Sequence, residues 1–101
     1  MTDAEILATT KFNLAIAGDA WDDYLTTLIE AAKKSIKTEG ITLNLDEIDD
    51  CNLVVMYAAY LYRKRAESSV QGNLSWVAGM PRMLRYALNN RLFAEKMNGG
   101  T

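Results

Sequence analysis

The sequence predicts an all-α domain, a small bundle of about four helices around one central apolar helix. Three observations carry that expectation. Leu53 to Tyr62 runs without a charge, and its only polar groups are the phenols of Tyr57, Tyr60 and Tyr62. At helical spacing that run is apolar all round, the pattern of a helix covered on every side. Residues 20–38 carry an apolar stripe at 3.6-residue spacing with charges opposite. Finally, only Ile41-Thr42-Leu43-Asn44-Leu45 alternates like a strand, and the chain offers it no second strand. It is read as a connecting loop that pins Ile41, Leu43 and Leu45 to the core.

The elements follow in order. Thr2-Asp3-Ala4-Glu5 fits a capping box, with Thr2 as N-cap and Glu5 at the third helical position. A first helix is expected from about Asp3 to Asn13, after which Leu14 and Ile16 pack inward and Gly18-Asp19 turns the chain. Asp19 is the expected cap of a second helix from about Ala20 to Thr38. Its stripe is Trp21, Leu25, Leu28, Ile29, Ala32 and Ile36; Asp23, Thr27, Glu30, Lys34 and Lys37 lie opposite. Glu30 and Lys34 stand i,i+4 in the favourable order, and Gly40 supplies the stop.

Asn44 or Asp46 is the expected cap of the third helix, Asp46–Ala66, which contains the opening run. Asp46, Glu47, Asp49 and Asp50 precede the run and Arg63, Lys64 and Arg65 follow it, the charge order a helix dipole favours. Residues 67–79 then read as a long loop carrying Ser68, Ser69, Gly72, Asn73, Ser75 and Gly79 together with Val70, Leu74, Trp76 and Val77. A loop of that length is uncommon in a compact domain and is usually functional or disordered. Trp76 has two readings, folded back on the core or docked on a partner. Pro81 suits the first position of a last helix that runs to about Met97. At 100° per residue Leu84, Ala87, Leu88 and Leu92 form one apolar face. Met83, Tyr86, Phe93 and Met97 form another, with Arg82, Arg85, Asn89 and Lys96 as a polar stripe between them. Two apolar faces on one terminal helix are hard to bury in one small domain, so one is left for a neighbour. Arg91 falls near the Leu84/Leu88 face, with snorkelling as the only reading for it. Asn98-Gly99-Gly100-Thr101 is expected to be a frayed tail.

At 101 residues the prior is a single domain. Half of the residues are hydrophobic, which argues against disorder. The central run falls short of the roughly 20 apolar residues that cross a bilayer. The start, Met1-Thr2-Asp3-Ala4-Glu5, lacks a basic-then-apolar signal, and both features point to the cytoplasm. Cys51 is the only cysteine, so no internal disulfide is expected, and a buried thiol is the reading. The net charge of −2 conceals an asymmetry. Residues 1–62 hold eleven acids and four bases, residues 63–101 two acids and seven bases. Chance and helix-end preferences account for part of this. The sharper reading is self-complementarity, with the acidic part of one copy against the basic part of the next, as in head-to-tail rings and filaments.

Catalytic parts are missing from the sequence. It has no histidine, the commonest general base and neutral metal ligand, and no Gly-rich phosphate loop. Asp46, Glu47, Asp49 and Asp50 lack the glycine and distal glutamate of a calcium loop and are read as helix-capping acids. The expectation is therefore no enzyme, no catalytic residue, no metal and no cofactor. A pI of about 5.0 and the long segment before the last helix fit poorly with a helix-turn-helix DNA reader.

The order of features resembles a known family. Phe12-Asn13-Leu14-Ala15-Ile16 followed by Asp19, Asp22, Leu25, Leu28-Ile29-Glu30-Ala31-Ala32 and Ile36 looks like the N-terminal signature of the phage head–tail connectors. These are small α-helical adaptors of tailed phages and prophages. Ala58-Ala59-Tyr60-Leu61-Tyr62-Arg63-Lys64-Arg65 is similar to the family's later apolar helix with its tyrosine-plus-basic end. Met80-Pro81-Arg82-Met83-Leu84-Arg85-Tyr86-Ala87-Leu88-Asn89-Asn90-Arg91-Leu92-Phe93 looks like its C-terminal helix. The resemblance implies a virion protein, assembled in the bacterial host cytoplasm, that forms a homo-oligomeric ring beneath the portal. It would extend the channel through which DNA passes without sequence-specific binding, and would meet a tail-side connector or stopper protein. The alternative is a small prophage-encoded regulatory module that binds DNA or inhibits a partner. Candidate interface residues are Met56, Tyr60 and Tyr62, which the other helices leave with little cover, Trp76, and Arg82, Met83, Arg85, Tyr86, Asn89, Phe93, Lys96 and Met97 of the last helix.

Overall fold

The computed structural model describes the backbone of residues 1–71 and 80–99 and the side chains of residues 1–64 and 80–97. It is an all-α bundle of four helices: α1 Asp3–Leu14, α2 Asp22–Thr38, α3 Ile48–Gln71 and α4 Arg82–Gly99. Among the described residues there is no strand, and 41–44 form the connecting segment. α3 packs against α1, α2 and α4, so the apolar run is the axis of the bundle. Val54 and Ala58 are fully buried, and Leu53, Val55 and Ala59 nearly so. Around them lie Ile6 of α1, Leu25, Ile29, Ala32 and Ile36 of α2, Ile41 of the connection, and Leu84 and Leu88 of α4.

α1 starts in the expected capping box: the Thr2 hydroxyl accepts from the Glu5 N–H at 3.2 Å and Glu5 Oε1 accepts from the Thr2 N–H at 2.8 Å. That backbone bond and the Thr2 side chain hold the Glu5 carboxyl below its ordinary range. The helix ends at Ala15, whose φ of 58° is left-handed without being a glycine. There the Ala15 N–H reaches the Phe12 carbonyl and the Ile16 N–H the Lys11 carbonyl, which satisfies the last turn. Leu14 and Ile16 are partly buried.

α2 begins two residues later than expected. Trp21, not Asp19, is its N-cap, and no side chain caps it. The carbonyl of Asp19 accepts from the Asp22 N–H, so the chain makes one tight turn before the helix. Trp21 consequently stands at the mouth of the stripe, about half exposed, while Leu25, Ile29, Ala32 and Ile36 sink into the core. Glu30 pairs with Lys33 at 3.1 Å rather than with Lys34, because Lys33 also reaches Asp3 of α1 at 3.1 Å. Burial works against its charge, yet Asp3 and Glu30 together raise the Lys33 pKa. At the far end the Gly40 N–H reaches the Lys37 carbonyl and the Ile41 N–H the Ile36 carbonyl, a Schellman motif with Ile36 and Ile41 buried in contact with the core. Gly40 has φ +107°, where a side chain is strained.

α3 starts at Ile48, not Asp46. Asn44 turns the chain: its side-chain oxygen accepts from the Asp46 N–H and its carbonyl from the Glu47 N–H. The helix also outlasts the expected Ala66 end and runs to Gln71. The Arg63-Lys64-Arg65 basic cluster therefore lies within the helix rather than closing it. Residues 67–71 of the expected loop 67–79 are therefore helical; residues 72–79, with Leu74, Trp76 and Val77, lie outside the described residues. Pro81 precedes α4 instead of occupying its first position, and its carbonyl accepts from the Arg85 N–H. The expected frayed tail is helical as far as Gly99; Gly100 and Thr101 lie outside the described residues.

Candidate interaction surface

α4 divides as its periodicity predicts. Leu84 and Leu88 are buried, and Ala87 and Leu92 partly so. On the other side Met83, Tyr86, Phe93 and Met97 are 77%, 67%, 66% and 62% exposed. Four large apolar side chains on one helix face make a contiguous patch, unlike singly scattered surface hydrophobics. Arg82, Asn89 and Lys96 are exposed along its edge. The one acid of α4, Glu95, is turned the other way.

What fixes that face outward is Arg91. Its Nε–H donates to Asp50 Oδ1 at 2.8 Å and its Nη2 to Asp50 Oδ2 at 3.3 Å, a two-pronged fork on a carboxylate. Nη2 also donates to the Thr42 carbonyl at 2.8 Å, and Nη1 to Glu95 at 3.1 Å. Asp50 is 3% exposed and accepts a further bond from the Asn44 N–H at 2.8 Å. One side chain thus ties α4 to α3 and to the 41–44 connection. Asp50 first, then Glu95, raise the Arg91 pKa against the pull of burial. The Thr42 N–H, bonded to Glu95 Oε1 at 3.1 Å, and then Arg91 hold the Glu95 carboxyl below its ordinary value. Arg85, one of the candidate interface residues, is partly engaged within the chain, at 3.1 Å from Glu39, the C-cap of α2. Two cations of the basic half are therefore met by acids of the acidic half inside one molecule.

The central helix meets more cover than the sequence suggests. Tyr62 packs edge-on against Trp21 at 6.4 Å between ring centroids and lies 6.4 Å from Tyr24, so it is not left bare by its own chain. Tyr60 meets the Tyr57 ring edge-on at 5.9 Å, and the Lys64 ammonium lies 5.7 Å from its centroid. Met56 is partly buried and lines a half-open groove of about 420 Å³ between α3 and α4, with Asn52, Leu53, Ala87 and Asn90. Asp49, Asp50 and Arg91 complete its wall. Met56, Tyr60 and Tyr62 therefore stand apart from the α4 patch, on the side of α3.

Cys51 is buried, and its thiol donates to the Leu45 carbonyl at 3.0 Å. Among the described residues no group of three or more acids or cysteines is placed to hold a metal ion, and no helix is long and apolar enough to cross a membrane. The Arg91–Asp50 fork went unread in the sequence. Its one signal is an arginine on the apolar face of a helix together with an acid at an inward position of the helix before it. No protein-family model matches the chain, and no curated protein or solved structure matches it significantly.

Proposed function

We propose that this protein is a head–tail connector of a tailed phage or prophage. It assembles as a ring beneath the portal, extends the DNA channel, and presents a surface to the next tail-side connector or stopper. The observation that supports this reading best is the outward face of α4. Met83, Tyr86, Phe93 and Met97 together offer on the order of 500 Å² of apolar surface, taking roughly 150–250 Å² for a whole aromatic side chain. A patch of that size is at the upper end of what monomers expose and is often functional, and a subunit that packs on copies of itself and on a portal needs one. The Arg91 fork holds the face in place without occupying it. DNA passes through the ring and is not read by it.

Size-exclusion chromatography with light scattering, over a range of protein and salt concentrations and with and without purified portal, tests the reading. The expected result is a concentration-dependent oligomer or a portal-bound species. A strict monomer that also ignores portal overturns it.

A further inference from the structure

The outward face of α4 has a counterpart elsewhere on the same molecule. Ile48, the first residue of α3, is 62% exposed. Asp46, Glu47 and Asp49 surround it in sequence, all exposed, and none holds an ion pair among the described residues. Asp49, next to Ile48 in the chain, lines the α3/α4 groove together with Asp50, Asn52, Leu53, Met56, Ala87, Asn90 and Arg91. The groove's volume of about 420 Å³ admits an aromatic side chain. Ile48, Leu53, Met56 and Ala87 supply apolar surface here, Asp46, Glu47 and Asp49 the acids, and the cation of the groove lining, Arg91, is already held by Asp50 and Glu95. The α4 face is opposite to this corner in charge. It is an apolar ridge with Arg82 and Lys96 on the edge, both without an ion pair among the described residues.

The two surfaces cannot satisfy each other within one chain. Leu84 and Leu88 point into the core, so the Phe93 side of α4 points away from the α3 it rests on. We infer that the α4 ridge of one copy docks in the Ile48 corner and groove of a second copy, with Phe93 or Tyr86 entering the cleft. Arg82 and Lys96 then face Asp46, Glu47 and Asp49. The contact is heterologous, joining two different patches, so it propagates from copy to copy until it closes. It rests on the self-assembly proposed above and names the surface that receives α4. Charge complementarity selects a second copy as the occupant: each patch carries charge of one sign that is unpaired among the described residues, and the chain itself supplies the other.

A charge swap tests this. One variant carries Asp46→Lys and Asp49→Lys, a second Arg82→Glu and Lys96→Glu, each compared with the wild type by light scattering and sedimentation at low salt. Each variant alone is expected to self-associate at least tenfold more weakly. An equimolar mixture is expected to recover association, because each variant then meets a complementary partner. Ile48→Ala, which leaves every charge in place, is expected to weaken association as well, and melting temperatures show that all three fold. A corner variant and Ile48→Ala that both associate like the wild type overturn the docking mode while leaving ring assembly intact. A wild type that stays monomeric and ignores portal overturns both.

Discussion

Replacing Arg91 by methionine isolates what the fork contributes. Methionine keeps an unbranched apolar stem against Leu84 and Leu88 and removes only the guanidinium. Asp50, 3% exposed in the intact fold, then keeps one of its three bonds, that from the Asn44 N–H. Removing one partner of a buried ion pair costs about 3–5 kcal/mol, mostly from the stranded charge. The Arg91 side chain is 23% exposed, so water reaches the vacated position and the lower end, about 3 kcal/mol, is expected. In a domain of this size that corresponds to a fall in melting temperature of roughly 12–24 °C. Urea unfolding followed by the helical circular dichroism signal measures it directly. Asp50→Asn combined with Arg91→Met removes the stranded charge and should recover most of the loss, by a double-mutant cycle. A single-variant loss under about 1 kcal/mol would place the pair with solvent-screened surface bridges and refute the reasoning.

Gly40→Ala should cost about 1–2 kcal/mol, because φ +107° disfavours any side chain and a Cβ there meets Leu92 Cδ1 at 3.3 Å; chemical denaturation measures the loss. Thr2→Ala removes the cap of α1 and should lower stability by about 1 kcal/mol, with the early exchange of the Glu5 amide as the local signature. Glu95, lowered from 4.5 by Thr42 and Arg91, contributes stability above its unfolded value that is lost as pH falls through its folded one. Melting temperature should therefore decline below about pH 4.5, and Glu95→Gln should flatten part of that decline; an unchanged acid slope would contradict it. Phe93→Asp, at a position 66% exposed, should leave the monomer's melting temperature within a few degrees of wild type while weakening self-association in sedimentation runs.

Much of the architecture was legible from local patterns. The Thr2/Glu5 box, the Leu25–Ile36 stripe and the Gly40 stop are contained in a few consecutive residues each, and each appears in the structure. The two faces of α4 follow from helical geometry alone. What periodicity cannot supply is the partner across a long sequence distance. Arg91 reads as an oddity on an apolar face because Asp50 is 41 residues away, in an acid cluster that looks like helix capping. Tyr62 looks uncovered because periodicity does not show that the rings of Trp21 and Tyr24, distant in sequence, lie against it. α3 passes Ala66 because a basic triplet favours a helix end without enforcing one, and residues 66–71 contain no proline or glycine to break it. The Ile48 corner escaped notice because an isoleucine beside aspartates reads as the first inward residue of a helix.

The fork on Asp50 has one more consequence, for alignment. Leu84 and Leu88 are four residues apart, one helical turn. If α4 slid along α3 by a turn, Leu88 would enter the site of Leu84 and the apolar contact would barely change. Grease alone thus leaves α4 with neighbouring berths of similar depth. Arg91 has no equivalent a turn away, since positions 87 and 95 are alanine and glutamate. A slide would strand Asp50 and release Thr42, so only one berth keeps every bond. The guanidinium acts as an indexing pin: it sets where along the bundle the outward residues of α4 come to rest, and hence the spacing at which any assembled copies meet.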